Sequence, residues 1–244
     1  MTDEDTLFAY TLSSRANMVT DAIVSISTLK NYVDEEKIIV FYTPPYDEDD
    51  EERLRETGVE IVKKDNETDS FSMFGSDEAG HYGEKIKITQ LDCDTLVFLD
   101  CDTVILNDIW PVIEGDFEIK ARPGSTGEED QEWRELFERF NEEYLDFMPN
   151  TGFLIFKNGV HEEIGQKWLD YVNTDLQYSR EVNHHEQYAL ALAAGDKNWQ
   201  KMTPEEHTFG WNEKPSSDTV VFHKGNPPEF SIFGKIAKKV LSSL

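Results

Sequence analysis

A run of five apolar or β-branched residues, Thr95-Leu96-Val97-Phe98-Leu99, passes directly into Asp100-Cys101-Asp102, and that junction limits the folds open to the chain. An apolar run of this length bounded by acids reads as a central strand buried on both faces. In α/β proteins ligands sit in the crevice at the carboxyl ends of such strands. Asp-Cys-Asp-Thr also occurs at 92–95, but there it enters the strand, so the second copy is the candidate site. Two carboxylates two residues apart in a crevice repel each other unless a cation lies between them or water screens both. Oxygen donors without thiolate or imidazole partners suit Mg2+ or Mn2+, ions that often hold a diphosphate. The competing reading of the tripeptide alone is a solvated turn in an acid-rich chain.

The flanking segments supply the context. Residues 6–12 read as a first strand, 13–16 as a turn, and 17–31 as a helix with Asn17 at its N-cap. On that helix Met18, Ala22, Ile26 and Leu29 share a face with Ile23 and Val24 nearby, and all but Met18 are expected in the core. A strand at 37–41, a polar helix at 47–57 and a strand at 59–62 complete a βαβαβ order that predicts a parallel sheet. Residues 64–82 have no period; with Gly75, Gly80 and Gly83 close by, they read as a mobile loop of the kind that forms lids. Lys85 and Lys87 precede the central strand, each either a phosphate contact or a solvated side chain. Further along come an apolar 103–106, a turn and short helix at 107–111, a strand at 117–121 and an acidic helix at 128–144. That helix carries Trp133, Leu136, Phe137, Phe140 and Tyr144 at helical spacing. A turn-rich 147–152 leads into a strand at 153–157, an amphipathic helix follows at 162–172, another runs from 183 to about 194, and a last strand spans 220–223. Zinc at His184 and His185 is discounted, because adjacent histidines diverge on a helix and no cysteine lies at ligand spacing.

Charge removes one class of partner. With 23 basic and 50 acidic residues the net charge is −27, which repels nucleic acid over much of the surface. The acids are dispersed through segments with good apolar patterns, so they read as a solvated surface, and the expectation is a halophilic protein whose charge is screened by salt. Cys93 and Cys101 flank one strand and lie more than about 20 Å apart, too far to pair. No stretch approaches the roughly 18 apolar residues of a membrane span and no signal peptide opens the chain, so the expectation is a cytoplasmic protein. The sign of the charge reverses at 231–244, which holds Lys235, Lys238 and Lys239 and no acid. On a helix Ile232, Phe233, Ile236, Val240 and Leu244 gather opposite the lysines. This is the pattern of a helix in a membrane interface, at the inner face of the membrane near a lipid-linked acceptor, or of a terminal helix packed on its own domain. The expected division is a domain over 1–228 and a basic amphipathic tail over 229–244.

Taken in order, these segments resemble the glycogenin-like retaining enzymes of glycosyltransferase family 8, from about residue 6 to 228. Val97-Phe-Leu-Asp-Cys-Asp-Thr-Val-Ile-Leu106 is similar to that family's strand and Asp-x-Asp metal motif. Leu12-Ser13-Ser14-Arg15 lies where the family has Leu-Thr-Thr-Asn, Asn150-Thr151-Gly152 resembles its Asn-Ser-Gly element, and Glu186-Gln187 resembles its Asp-Gln pair. The resemblance implies an α/β protein with a GT-A (Rossmann-like) fold, a mixed, mostly parallel sheet flanked by helices. It implies Mn2+ (or Mg2+) held by Asp100, Asp102 and His223. Donor contacts would come from Thr11, Leu12, Ser14 and Arg15 near the nucleoside, and from Lys85, Asp100, Cys101, Thr151, Gly152, Lys224 and Gly225. Asn150, Glu186 and Gln187 would stand at the reacting centre. The implied reaction moves a hexose from a nucleoside diphosphate sugar, UDP-linked, to a glycan, protein or lipid-linked acceptor. The chain departs from the family at four places. Met18 replaces an aromatic that packs on the base, Arg15 replaces an asparagine, and Glu186 is a methylene longer than aspartate. The terminal His-x-x-Gly-x-x-Lys pattern is shortened to His223-Lys224-Gly225. Two other readings remain open. A sugar-nucleotide nucleotidyltransferase would need a Gly-rich basic loop after the first strand, which 12–16 is not; a non-catalytic sugar-nucleotide or glycan binder on the same fold is separated only by turnover.

Overall fold

The computed structural model describes residues 5–15, 17–65, 84–124, 131–176, 184–224 and 236. In chain order the elements are β1 (Thr6–Ser13), α1 (Met18–Leu29), β2 (Ile38–Thr43), α2 (Glu48–Arg55), β3 (Glu60–Lys63), a 3-10 helix (Glu84–Gln90), β4 (Thr95–Leu99), β5 (Thr103–Ile105), α3 (Trp110–Ile113), β6 (Ile119–Pro123), α4 (Gln131–Phe140), β7 (Pro149–Phe156), α5 (Val160–Val172), α6 (His185–Ala193), β8 (Trp199–Lys201), β9 (His207–Phe209) and β10 (Val221–His223). Among the described residues seven strands form a sheet ordered β3-β2-β1-β4-β7-β6-β8, and three more form a sheet ordered β5-β10-β9. In the large sheet β1 runs parallel to β2 and β4, β2 to β3 and β6 to β8, whereas β7 is antiparallel to β4 and β6. The sheet is therefore mixed and mostly parallel.

The apolar runs of β1, β2, β4 and β7 follow from a sheet covered on both faces. Phe8, Tyr10 and Leu12 of β1 turn toward α1, where they meet Val19, Ala22, Ile23, Ile26 and Leu29. Ala9, Phe41, Phe98, Leu154 and Phe156 take the opposite face and pack on the 3-10 helix, α5 and α6 through Ile86, Ile88, Ile164, Trp168 and Leu190. Each Val, Leu, Ile or Phe side chain among them contributes about 1.5–3 kcal/mol by leaving water. The 3-10 helix is fixed by an ion pair with no exposure on either side, Lys87 Nζ to Glu84 Oε2 at 2.7 Å. The same ammonium donates to the Asp65 carbonyl at 2.6 Å.

Several boundaries move for physical reasons. Asn17 stands at the N-cap position of α1, but its side chain makes no capping hydrogen bond. Asp47 does cap α2, accepting from Asp50 N at 3.0 Å. The aromatic stripe packs as expected through Trp133, Leu136 and Phe137. Its helix, however, stops at Phe140, because Asn141 turns left-handed with φ 55°, a conformation asparagine tolerates. Within the turn-rich 147–152, residues 149–152 are strand instead. Asp100 N donates to Gly152 O at 2.8 Å and Gly124 N to Met148 O at 2.8 Å, so long-range partners extend β7 back to Pro149. The stretch 66–83, with its three glycines, and most of the tail lie outside the described residues. Ile236 is described, and it packs against Val24 and Val104. No helix among the described residues is long and apolar enough to cross a membrane.

Two buried histidines outside the candidate site contribute to a pH dependence of stability. His161 Nε2 lies 2.8 Å from Leu91 O and His185 Nε2 3.0 Å from Val172 O. Burial holds both imidazoles below the ordinary histidine value. The unfolded chain therefore takes up protons below about pH 6.5 that the folded chain refuses, and stability falls as pH drops below that point, by up to about 1.4 kcal/mol per pH unit for each ring. Urea midpoints measured at pH 7.5 and 5.5 in high salt should show this loss. His161→Gln, which keeps a donor for Leu91 O, should reduce it and leave the part due to His185; an unchanged slope in that variant would remove His161 from the account.

Candidate functional site

At the end of β4 the chain closes a tight turn. Thr103 donates to Asp100 O through both its backbone N (3.2 Å) and its Oγ1 (2.8 Å). Behind the turn Thr103 Oγ1 meets Ser25 Oγ at 3.0 Å, and Ser25 Oγ meets Tyr10 OH at 2.9 Å. This line of buried hydroxyls joins β1, α1 and the turn. The small sheet then brings in a distant strand, since β10 pairs antiparallel to β5 with His223 opposite Thr103, and Lys224 N donates to Asp102 O at 2.9 Å.

The result is a cluster in which one ligand atom each from Asp100, Asp102 and His223 lies within 4.8 Å of the others. His223 Nε2 is 3.1 Å from Asp102 Oδ1 and 3.9 Å from Asp100 Oδ2. Burial opposes charge on Asp102, but the adjacent His223, helped by Lys224 and Lys85, outweighs it and holds the carboxyl below its ordinary value. Burial likewise opposes charge on His223, and the two aspartates outweigh it and raise the imidazole. His223 Nδ1 lies 3.4 Å from His207 Nε2, and the two rings stack at 7°. A partner on Nδ1 leaves Nε2 to face the carboxylates, the usual arrangement behind a metal-binding histidine. Two carboxylates and one imidazole that converge in this way fit Mn2+ or Mg2+.

Beside the cluster the 3-10 helix presents Lys85. Its Nζ is 2.9 Å from Asp100 Oδ1, donates to Thr151 Oγ1 at 3.1 Å and stands 3.7 Å from Glu186 Oε1. Thr151 Oγ1 donates to Glu186 Oε1 at 3.0 Å. Glu186 is buried, which raises its carboxyl above the ordinary range against the opposing pull of Lys85 and Thr151. Asn150 Oδ1 accepts from Gly152 N at 3.0 Å. Gln187 Oε1 is buried with no hydrogen-bond partner among the described residues, and the same holds for Thr11 Oγ1. Buried polar atoms without partners are groups a ligand can satisfy.

The other candidate residues are placed as follows. Leu12 packs in the core under α1, and its carbonyl accepts from Thr43 Oγ1 at 3.2 Å. Ser14 Oγ pairs with Tyr42 OH, and Arg15 is half-buried at the end of β1. Met18 lies against the core with its sulfur 4.0 Å from Ser13 Oγ. Burial and the neighbouring carboxylates raise the Cys101 thiol well above its ordinary value, so it stays protonated. Lys224 Nζ donates to both carboxylate oxygens of Asp21, at 3.0 and 2.8 Å. Gly225 lies outside the described residues. Asp21, His207 and the Tyr10-Ser25-Thr103 line escape a reading of the sequence, because each acts through a partner at least 15 residues away.

Neither a family model nor a curated protein sequence matches the chain. Solved structures do. The galactosyltransferase LgtC, in complex with donor and acceptor sugar analogs, superposes with a TM-score of 0.70 at 14% identity, covering 97% of this chain and 95% of that one. The bifunctional glycosyltransferase WbbM gives 0.65 at 13% identity over 98% of this chain and 50% of its own. The glycosyltransferase GlyE of Streptococcus pneumoniae gives 0.63 at 13% identity over 98% and 63%. At these identities the likeness is one of fold, and it is the fold of glycosyltransferases.

Gly152 sets how closely His223 approaches. A Cβ at this position would lie 2.3 Å from His223 Cε1 and 2.5 Å from Nδ1, and the ring is backed by His207. Gly152→Ala should therefore displace the imidazole, cost about 1–3 kcal/mol and weaken Mn2+ binding in calorimetry. Unchanged Mn2+ affinity in the folded variant would show that His223 is not a ligand.

Proposed function

We propose that this chain is a metal-dependent retaining glycosyltransferase of the family 8 type, moving a hexose from a UDP-linked sugar to a hydroxyl of a glycan, protein or lipid-linked acceptor. The observation that carries the reading is the convergence of Asp100, Asp102 and His223 beside the Lys85-Thr151-Glu186 group at the end of β4. The fold is that of a galactosyltransferase solved with donor and acceptor sugar analogs.

Asp100, Asp102 and His223 would hold Mn2+ or Mg2+, which when bound neutralises the negative charge of a leaving diphosphate. Lys85, already 2.9 Å from Asp100, adds its positive charge on the same side. Thr11 supplies an unspent hydroxyl at the end of β1, and Asn150, Thr151, Glu186 and Gln187 offer fixed hydrogen-bonding groups to the hydroxyls of the hexose. Such positioning contributes several kcal/mol of barrier lowering. In the reaction the bond from the anomeric carbon to the diphosphate oxygen breaks and its electron pair leaves with the diphosphate. The acceptor oxygen bonds to the anomeric carbon on the face just vacated, and the acceptor proton passes to the departing phosphate. No protein base is required.

UDP at a hundredfold excess over its dissociation constant stabilises a protein by about 2.7 kcal/mol, roughly 5–10 °C for a domain of this size. The wild type should show that shift only with Mn2+, in about 1 M salt, where the Debye length falls to about 3 Å and the acidic surface is screened. Asp102→Asn should abolish the Mn2+-dependent shift and lower turnover by about 100-fold or more while leaving the fold intact; normal turnover in that variant would sink the metal assignment. Glu186→Gln should lower kcat by about tenfold or more with UDP affinity within about twofold. An equal loss of UDP binding would mean that Glu186 serves the nucleotide rather than the sugar.

A further inference from the structure

Trp211 is one of two large hydrophobic side chains described as exposed, with 38% of its surface open, and it stands beside the candidate metal cluster. Its indole lies edge-on to His223, with ring centroids 5.3 Å apart at 78°. Phe209 stacks against it at 4.4 Å and 15°, and the Arg122 guanidinium lies 4.1 Å from the centroid of Phe209. The other exposed aromatic, Tyr46, spends its hydroxyl on Lys64 O at 2.9 Å and takes Lys63 over its ring at 4.7 Å, so its exposure is accounted for by local packing.

The backbone on both sides of Trp211 is locked. Gly210 N donates to His223 O at 2.7 Å, and Glu213 N to Phe209 O at 2.8 Å. Phe209 N donates to Glu213 Oε2 at 3.0 Å. Arg122 donates to both oxygens of Glu213 and to His207 O. A side chain at Gly210 would collide with the carbonyls of Lys224 and His223, at 2.5 and 2.7 Å. Phe209 ties this turn to β9, and the Arg122–Glu213 pair ties it to β6. An exposed indole held this firmly costs little entropy when something binds to it.

We infer that Trp211 is the platform on which the acceptor sugar stacks. This inference rests on the glycosyltransferase reading of the site. One face of a pyranose presents a patch of C–H groups, and the electron-rich face of an indole attracts such groups while excluding water. The position of the ring favours the acceptor over the donor base. In the small sheet the order is β5-β10-β9; α1 packs on β5 and takes Lys224 through Asp21, whereas Trp211 follows β9, the opposite edge. The end of β1, next to α1, is the side proposed for the nucleoside. The platform therefore lies across the metal cluster from it, with His223 between.

The test is a titration of methyl β-D-glucopyranoside, methyl β-D-galactopyranoside and lactose into the whole chain, read by saturation-transfer NMR with and without UDP and Mn2+. The wild type should bind at least one of these saturably. Trp211→Ala should weaken that binding by about tenfold or more, and Trp211→Phe should stay within about threefold of wild type. Equal binding by wild type and Trp211→Ala, or no saturable binding of any of the three sugars, overturns the platform. A UDP shift with Mn2+ that disappears in Trp211→Ala overturns it as well and assigns the ring to the nucleobase. The wild-type UDP shift is measured on the same samples. Its absence together with Trp211-dependent sugar binding would count against the donor site alone, and its presence without Trp211-dependent binding against the platform alone.

Discussion

Two carboxylates at the mouth of a buried strand set the problem that the surrounding structure answers. At about 4 Å and an effective dielectric near 20, a pair of like charges costs on the order of 4 kcal/mol, and Asp100 and Asp102 sit close to that range through their shared neighbour His223. Positive charge has to be brought to them. It comes from two directions, Lys85 just upstream in the 3-10 helix and His223 more than a hundred residues downstream. Without β10 paired to β5, His223 would not reach the turn. The small sheet is therefore best understood as the element that carries a counter-charge to the aspartates. On the proposed reading a bound divalent cation would take over the same task.

Rigidity in that region is obtained without large side chains. The turn after β4 is tied down by a threonine, a serine and a tyrosine hydroxyl in series, and His223 approaches through a gap that only glycine at 152 leaves open. The buried Glu84–Lys87 pair does similar work for the segment that presents Lys85. Removing either partner would leave a charge uncompensated in the interior, a loss of about 3–5 kcal/mol. Lys85 is thus held from below by one ion pair while it makes another at the surface of the crevice.

What was legible in the sequence was whatever had a local pattern. The apolar run of β4, the acids that end it, the amphipathic face of α1 and the stripe of α4 each declare themselves within a dozen residues, and the structure places them where that pattern predicts. The three-residue strands β8 and β9 are too short to show a period. Pro149-Asn-Thr-Gly152 carries turn residues but is strand, because its partners are Asp100 and β6 rather than its neighbours. The Asp21–Lys224 pair spans 203 positions, and nothing near either residue announces the other. Order of motifs along the chain singled out Asp100, Asp102, His223 and Lys85, which the fold brings together, whereas the groups packed behind them, His207 beside His223 above all, are contacts between distant segments and become visible only in three dimensions.

Lys224 shows how the two kinds of information meet. As a basic residue next to His223 it reads as a phosphate contact, yet its ammonium lies on Asp21 in the first turn of α1. Burial raises the Asp21 carboxyl, with Lys224 opposing and Asp102 adding to the rise, so this pair belongs to the same electrostatic system as the cluster. An anionic ligand arriving at Asp100 and Asp102 would compete with Asp21 for the one lysine. On the proposed reading an incoming diphosphate would also have to cross a surface with a net charge of −27. Long-range repulsion is screened within about 8 Å at physiological ionic strength, whereas charges a few ångströms apart in a crevice are screened far less. Salt would therefore relieve the approach of such a ligand more than it would weaken the contacts proposed for it with Lys85 and the cluster, and a strongly acidic surface is compatible with the proposed donor site.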